Sequence, residues 1–155
     1  MIPAQFDYEA PESIGEAVRM LHENGEDAKI IAGGHSLLPL MKLRLAAPTL
    51  LVDLRRVPGL HGIQRANGSW RVGPMTRHAD IQDTPELGIA SRAARQIADQ
   101  QVRNRGTIGG SLAHGDPASD LPAVLLALEG EVSAQGPNGL RSIAAADLFQ
   151  DYLTT

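Results

Sequence analysis

The stretch Lys29-Ile30-Ile31-Ala32-Gly33-Gly34-His35-Ser36-Leu37 decides how this chain is read. An apolar run of single-strand length, read as a short buried strand, ends on two adjacent glycines with a hydroxyl two residues on. Glycine lacks a Cβ, so a diglycine turn adopts backbone conformations closed to other residues and lets other groups come close. Successive amides in such a turn can converge on one point as an anion-binding nest. From Leu37 a short helix is expected with Ser36 as its cap, and Pro39 is tolerated because a first-turn amide has no helical partner to lose. A helix start adds free N–H donors and the positive end of a dipole.

A second stretch, Thr107-Ile108-Gly109-Gly110-Ser111, repeats the logic: paired glycines, flanking hydroxyls, and Ile108 to anchor the segment. It lies in a glycine-rich tract from Arg105 to Gly115, read as a loop ahead of a helix beginning near Asp120-Leu121-Pro122. Neither loop, Ala32–Ser36 or Thr107–Ser111, contains Lys or Arg. Hydrogen bonds to charged groups contribute about 1.5–3 kcal/mol each, so about four or five amides and hydroxyls would hold a pyrophosphate without a cation. One diglycine pair is common in plain turns; two pairs of this kind point further. Neither matches the dinucleotide G-x-G-x-x-G or the Walker G-x-x-x-x-G-K-[ST], which argues against an ordinary NAD or ATP site. The residues alone reach a phosphate or nucleotide binder and stop there.

Around these stretches the chain alternates helical and extended patterns. Ser13-Ile14-Gly15-Glu16 reads as a capping box ahead of a stripe of Ile14, Ala17, Val18 and Leu21, and Asn24-Gly25 as a helix stop. Leu50–Leu54 reads as a strand, and Asn67-Gly68 as a hairpin turn between Ile63-Gln64 and Trp70-Arg71-Val72. A helix is expected over residues 86–101, with Ala90, Ala93, Ala94 and Ile97 on one face. Gly136-Pro137-Asn138-Gly139 reads as a turn between two further strands. The pattern is α+β or α/β.

The 155 residues suffice for one domain, divisible into two small lobes. Hydrophobic residues at 43% and charged residues at 21% give a chain that folds without staples. A net charge of −4 argues against a nucleic-acid surface, and no apolar run is long enough for a membrane span. Met1–Asp7 lacks the basic and apolar regions of a secretory signal, which points to the cytoplasm. With no cysteine, the chain itself ligates no iron–sulfur cluster. The ending, Asp147–Thr155, reads as though a longer protein continues beyond it.

The strings Ile31-Ala32-Gly33-Gly34-His35-Ser36-Leu37-Leu38-Pro39-Leu40-Met41-Lys42-Leu43-Arg44 and Thr107-Ile108-Gly109-Gly110-Ser111-Leu112-Ala113-His114-Gly115-Asp116-Pro117-Ala118-Ser119-Asp120-Leu121-Pro122 resemble the two FAD motifs of molybdenum hydroxylase medium subunits. The resemblance is strongest to the aerobic carbon monoxide dehydrogenase type. Phe6-Asp7-Tyr8 and Gly73-Pro74-Met75-Thr76 extend it, and it spans essentially the whole chain. It implies an α+β fold, the two-lobed FAD-binding domain shared with vanillyl-alcohol-oxidase-type flavoproteins, with lobes of about residues 1–55 and 56–155. It implies that Ala32, Gly33, Gly34, His35, Ser36 and Leu37, together with Thr107, Ile108, Gly109, Gly110 and Ser111, contact FAD. Asp120 would meet a ribose or adenine hydrogen, its carboxylate being repelled by phosphate, or would serve as a helix cap.

The implied role is electron transfer, from an iron–sulfur small subunit drained by a molybdenum large subunit to an external acceptor. No residue of this chain then acts as a general acid or base, and the substrate is chosen on another chain. A non-redox nucleotide or phosphate module is the alternative. Arg103 and Arg105 either neutralise the pyrophosphate or are solvated charges. His114 and Asp116 lack a third ligand, so no metal site is expected. Trp70 reads as hairpin packing.

Overall fold

The computed structural model describes residues 2–151 and 153–155; Met1 and Tyr152, which enter the readings of the chain ends, lie outside the described residues. The N-terminal third forms a three-stranded parallel sheet of β1 (Asp7–Glu9), β2 (Ala28–Ile31) and β3 (Leu50–Asp53), in the spatial order β1-β3-β2. Parallel neighbours need crossovers. Helices α1 (Ile14–Asn24) and α2 (Leu37–Lys42) lie in the two connections. The central strand has neighbours on both sides, and Leu51, Val52 and Asp53 are buried. The sequence reads 29–32 as buried; the structure makes β2 an edge strand with Lys29 and Ile30 exposed. A short apolar run carries no mark of its place in a sheet, and the Leu-Leu-Val of β3 takes the centre.

Helix α1 forms where its signals place it. The Ser13 hydroxyl accepts from the Glu16 amide at 3.1 Å, and Gly25, at φ 54°, ends the helix by donating to Leu21 O. The other half of the capping box differs: the Glu16 carboxylate accepts from the Glu12 amide at 3.1 Å, one residue ahead of the cap. Ala17 is buried where α1 packs on β2 and β3.

The remaining chain builds a second core. Hairpin β4 (Ile63–Ala66) and β5 (Ser69–Val72) turns at Asn67 and Gly68, both at positive φ as the Asn-Gly signal requires. Then come α3 (His78–Gln82), α4 (Ile89–Ala94), α5 (Gln100–Arg103), α6 (Ile108–His114) and α7 (Asp120–Ala127). Hairpin β6 (Glu131–Gly136) and β7 (Gly139–Ala144) follows, with α8 (Ala145–Leu148) after it. Ile81, Leu87, Ala94 and Leu121 form the buried cluster, with Ile63, Val72, Ala90, Ile97 and Ile108 packed against it.

Two expectations are corrected here. The single helix over 86–101 is broken into a 3-10 turn at Pro85–Leu87, then α4 and α5. Gly88 at φ 60° and Ala98 at φ 39° interrupt the helical ladder, although Ala90, Ala94 and Ile97 still face the core. The tract 105–115 is not a loop. Gly109 and Gly110 lie in the first turns of α6, capped by Thr107 and ended by left-handed Gly115. Glycine is a poor helix former, and here close packing outweighs that deficit.

Candidate functional site

Strands β2 and β3 run parallel and end at one edge of the sheet, where Ile31 lies opposite Asp53. Open parallel sheets bind ligands outside the carboxyl ends of their strands. The chain leaves β2 at that edge and passes through Ala32–Ser36 into α2. Among the described residues, the amides of Gly33, Gly34, His35 and Ser36 donate to no protein group. Gly34 sits at φ 77°, where a side chain would be strained and would lie 2.9 Å from Leu38 Cδ1. Ser36 holds the cap position, but its hydroxyl caps nothing. It is left available, as are the four amides. His35 is exposed, and Leu37 opens the helix.

The second diglycine segment is built differently. Residues 74–78 run alongside it, and Arg77 bridges Thr107 in antiparallel fashion. His78 N donates to Gly106 O at 2.9 Å, Ile108 N to Thr76 O at 3.0 Å, and Gly109 N to Pro74 O at 2.9 Å. Buried Thr107 caps α6 by accepting from Gly110 N at 3.2 Å. The donors expected from these amides are therefore engaged within the protein, as buried backbone groups must be. Gly109 is glycine because Pro74 is against it: a Cβ would lie 2.6 Å from Pro74 Cβ. A Cβ on Gly110 would meet only the oxygen of its own cap, Thr107 Oγ1, at 2.9 Å, so a ligand can approach its Cα. Ser111 Oγ and Ser119 Oγ share a hydrogen bond of 2.6 Å.

The two segments meet. A Cβ on Gly33 would overlap the Arg105 carbonyl oxygen and lie 2.8 Å from Gly106 Cα. On its other side Gly106 is equally tight, since a Cβ there would lie 2.6 Å from Cδ2 and 2.9 Å from Nε2 of His78. The four free amides thus stand directly beside the lead into α6. Gly106 was read only as part of the Arg105–Gly115 tract and His78 was not singled out, the Gly73–Thr76 string being the signal just before it.

Other candidates sort by geometry. Asp120 is exposed at the first position of α7, where Ser119 holds the cap position, so it is not the N-cap. Arg103 is structural: its guanidinium donates to Ile97 O at 2.7 Å and Ala98 O at 3.0 Å, which holds the left-handed turn at Ala98. Arg105 is exposed. Asp116 closes its own turn, accepting from Ala118 N at 2.9 Å. Trp70 lies under Arg65 of the paired strand, 5.8 Å from ring centre to guanidinium carbon.

The electrostatics centre on two groups. Buried Asp53 accepts from Tyr8 Oη at 2.7 Å, Arg55 Nε at 2.7 Å and Arg55 N at 2.9 Å. Burial works to raise its pKa, and the bonds from Arg55 and Tyr8 outweigh that and hold it below the usual carboxylate value. His78 is buried and held below the ordinary histidine value, first by desolvation and then by neighbouring His35. Its Nδ1 has no partner among the described residues.

Comparison with known proteins supplies the remaining observation. The family model described as the FAD-binding domain in molybdopterin dehydrogenase matches residues 4–155. The chain belongs to that family. It is 49% identical over 153 residues to the carbon monoxide dehydrogenase medium chain of Hydrogenophaga pseudoflava, a match covering 96% of this chain and 53% of the relative. It is 50% identical over 153 residues to the nicotine 6-hydroxylase medium subunit of Paenarthrobacter nicotinovorans, covering 96% and 54%. The solved carbon monoxide dehydrogenase of H. pseudoflava superposes with a TM-score of 0.96 at 48% identity, over 100% of this chain and 55% of that one. The chain spans about half the length of the curated relatives it matches.

An FAD-binding domain is an α+β fold, and the architecture agrees. The residues present also fit a dinucleotide: a cradle without Cβ atoms, free amides, a free hydroxyl and a reachable Gly110 Cα converge at one seam. Two shallow hollows elsewhere, between α1 and the β6–β7 turn and beside Arg141 and Asp147, touch none of these residues. No helix among the described residues is long and apolar enough to cross a membrane.

Proposed function

We propose that this chain holds FAD for the flavoprotein subunit of a molybdenum hydroxylase, most similar to carbon monoxide dehydrogenase, and that the two diglycine segments form the pyrophosphate seat. The observation that carries this reading is the seam: Gly33 rests on Arg105–Gly106, which sets the four free amides of Gly33–Ser36 beside α6. In this reading those amides and the Ser36 hydroxyl donate to phosphate oxygens. Ala32 and Leu37 shape the two ends of the turn. Gly110 admits the ligand from the second side, and Thr107, Ile108, Gly109 and Ser111 fix the surface it meets. Exposed Asp120 accepts from a ribose or adenine group, and exposed His35 adds a contact from the turn itself.

When bound, the isoalloxazine supplies the redox chemistry, and the protein supplies binding, orientation and electrostatics. The chain's own residues donate no proton in this scheme. A cysteine-free chain receives electrons from a partner, here an iron–sulfur small subunit fed by a molybdenum large subunit, and delivers them to an external acceptor. The working location in this reading is the cytoplasm. The N-terminal lobe, about residues 1–55, carries the amides, and the second, about residues 56–155, carries the surface facing them.

Purifying the protein with its partner chains and recording the flavin spectrum tests the reading. Bound FAD at one per chain is the expected result. A colourless protein that takes up ADP but no FAD would turn the reading to a non-redox nucleotide module.

A further inference from the structure

Helix α2 leads out of the turn with the free amides, and its far end is closed in an uncommon way. Leu45 N donates to Leu40 O at 2.9 Å and Arg44 N to Met41 O at 3.0 Å, the paired bonds of a Schellman close. Such a close sets one residue in the left-handed region, where glycine is the ordinary occupant. Here it is Arg44, at φ 58°. The residue after it ordinarily packs an apolar side chain back on the helix. Here Leu45 is 73% exposed, and Leu43, just before the bend, is 56% exposed. Both choices cost the folded chain, one in backbone strain and one in apolar surface left in water. Left-handed Ala98 is held by Arg103, but the Arg44 side chain has no hydrogen bond or ion pair among the described residues. Lys42 has no carboxylate partner among them either. On a chain of net charge −4, the bend is a basic knuckle that carries two exposed leucines. Backbone strain that the chain itself does not repay marks functional places.

We infer that the Lys42–Leu45 knuckle is a docking surface for a partner chain of the same complex, one that offers an apolar pocket rimmed by carboxylates. The two unpaired cations select an acidic rim and steer its approach. The fixed bend holds Leu45 out, so the leucine enters a pocket with little ordering cost. This inference rests on the reading above of a subunit within a complex, and deepens it by naming the surface. Helix α2, six residues and about 9 Å long, joins the knuckle to the turn assigned to FAD, so a partner seated here stands close to the dinucleotide.

The test is made in the full-length subunit expressed with its partner chains. Dissociation of the complex on dilution is measured at several salt concentrations, beside FAD content and the melting of the subunit. Arg44→Gly removes the charge and relieves the bend, so a merely structural role predicts a more stable subunit that assembles normally. The expected result is a split: melting unchanged or raised, FAD content unchanged, and assembly about tenfold weaker. Leu45→Ser should weaken assembly by a similar factor. The double variant Lys42→Glu, Arg44→Glu should weaken it further and flatten its salt dependence. Normal assembly in either Arg44→Gly or Leu45→Ser overturns the inference. So does a wild-type subunit whose pairing with its own copies, rather than with partner chains, is lost in these variants. If Arg44→Gly loses FAD together with assembly, Arg44→Lys decides: restored assembly upholds the inference, and its absence overturns it. A wild-type complex that assembles through this knuckle yet carries no FAD removes the flavin reading and leaves the docking surface standing.

Discussion

At the scale of single residues, Gly33 makes the sharpest prediction. Any side chain there meets the Arg105 carbonyl, a backbone atom that cannot rotate away, so Gly33→Val must part the two segments rather than leave the fold untouched. The expected outcome is FAD retention lost together with a lower melting temperature. Gly110→Ala, which meets only Thr107 Oγ1, should weaken FAD binding with less effect on melting. Equilibrium dialysis and thermal melts on the same preparations separate the two effects. His78 predicts a pH effect with a definite sign. Its folded pKa lies below the ordinary histidine value of 6.5, so below that pH the unfolded chain binds a proton that the folded chain does not. Stability contributed by this residue is therefore lost as pH falls below about 6.5, and urea melts across pH 5–7 should be flatter in His78→Phe. Asp53 has the same sign in a more acidic window, with partners rather than burial as the cause. Its contribution is present above the ordinary carboxylate value of 3.8 and disappears on further acidification. Removing it in Asp53→Ala strips partners from Tyr8 and Arg55 and should lower stability by on the order of 2 kcal/mol in urea melts. The glycine pairs were legible because glycine announces close approach. His78 was not, because one histidine in a chain carries no periodicity and its meaning lies in a contact with Gly106, 28 positions away.

At the scale of elements, local signals that close on themselves were readable. The Ser13 cap, the Gly25 stop and the Asn67-Gly68 turn each depend on residues within a few positions. The Arg105–Gly115 tract was misread because its helix is fixed from outside, by the carbonyls of Pro74 and Thr76. Composition alone says loop; the neighbouring segment says helix. The 86–101 region failed for a related reason. Its apolar face is right, but Arg103 reaches back to the Ile97 and Ala98 carbonyls and holds a left-handed residue that no propensity scale favours. Thr107 ties the element scale to the site, since the hydroxyl that caps α6 also holds Gly110 in place. Thr107→Val should therefore lower stability by about 1 kcal/mol, as cap loss does, and Thr107→Ser should recover most of it. Chemical denaturation of the pair checks this.

At the scale of the whole molecule, the seam lies at the carboxyl end of the parallel strands, and two hollows among the described residues lie away from it. The relatives are about twice as long, and this chain spans about half of their length. The chain alone is therefore expected to bind FAD more weakly than a version extended to the length of its relatives or assembled with partner chains. Fluorescence titration of both is the measurement, and equal affinity would contradict the expectation. The family could be read from the sequence because both strings are long and intact; the depth of the site could not, because enclosure depends on surfaces far from either string.

The close fit of Gly33 against Arg105–Gly106 also constrains inheritance. A lineage cannot enlarge position 33 without first clearing space opposite it, nor position 106 without displacing the histidine at 78. Substitutions at these three places should arrive together or not at all. Chimeras joining halves from distant relatives should then succeed only where both halves come with the same trio.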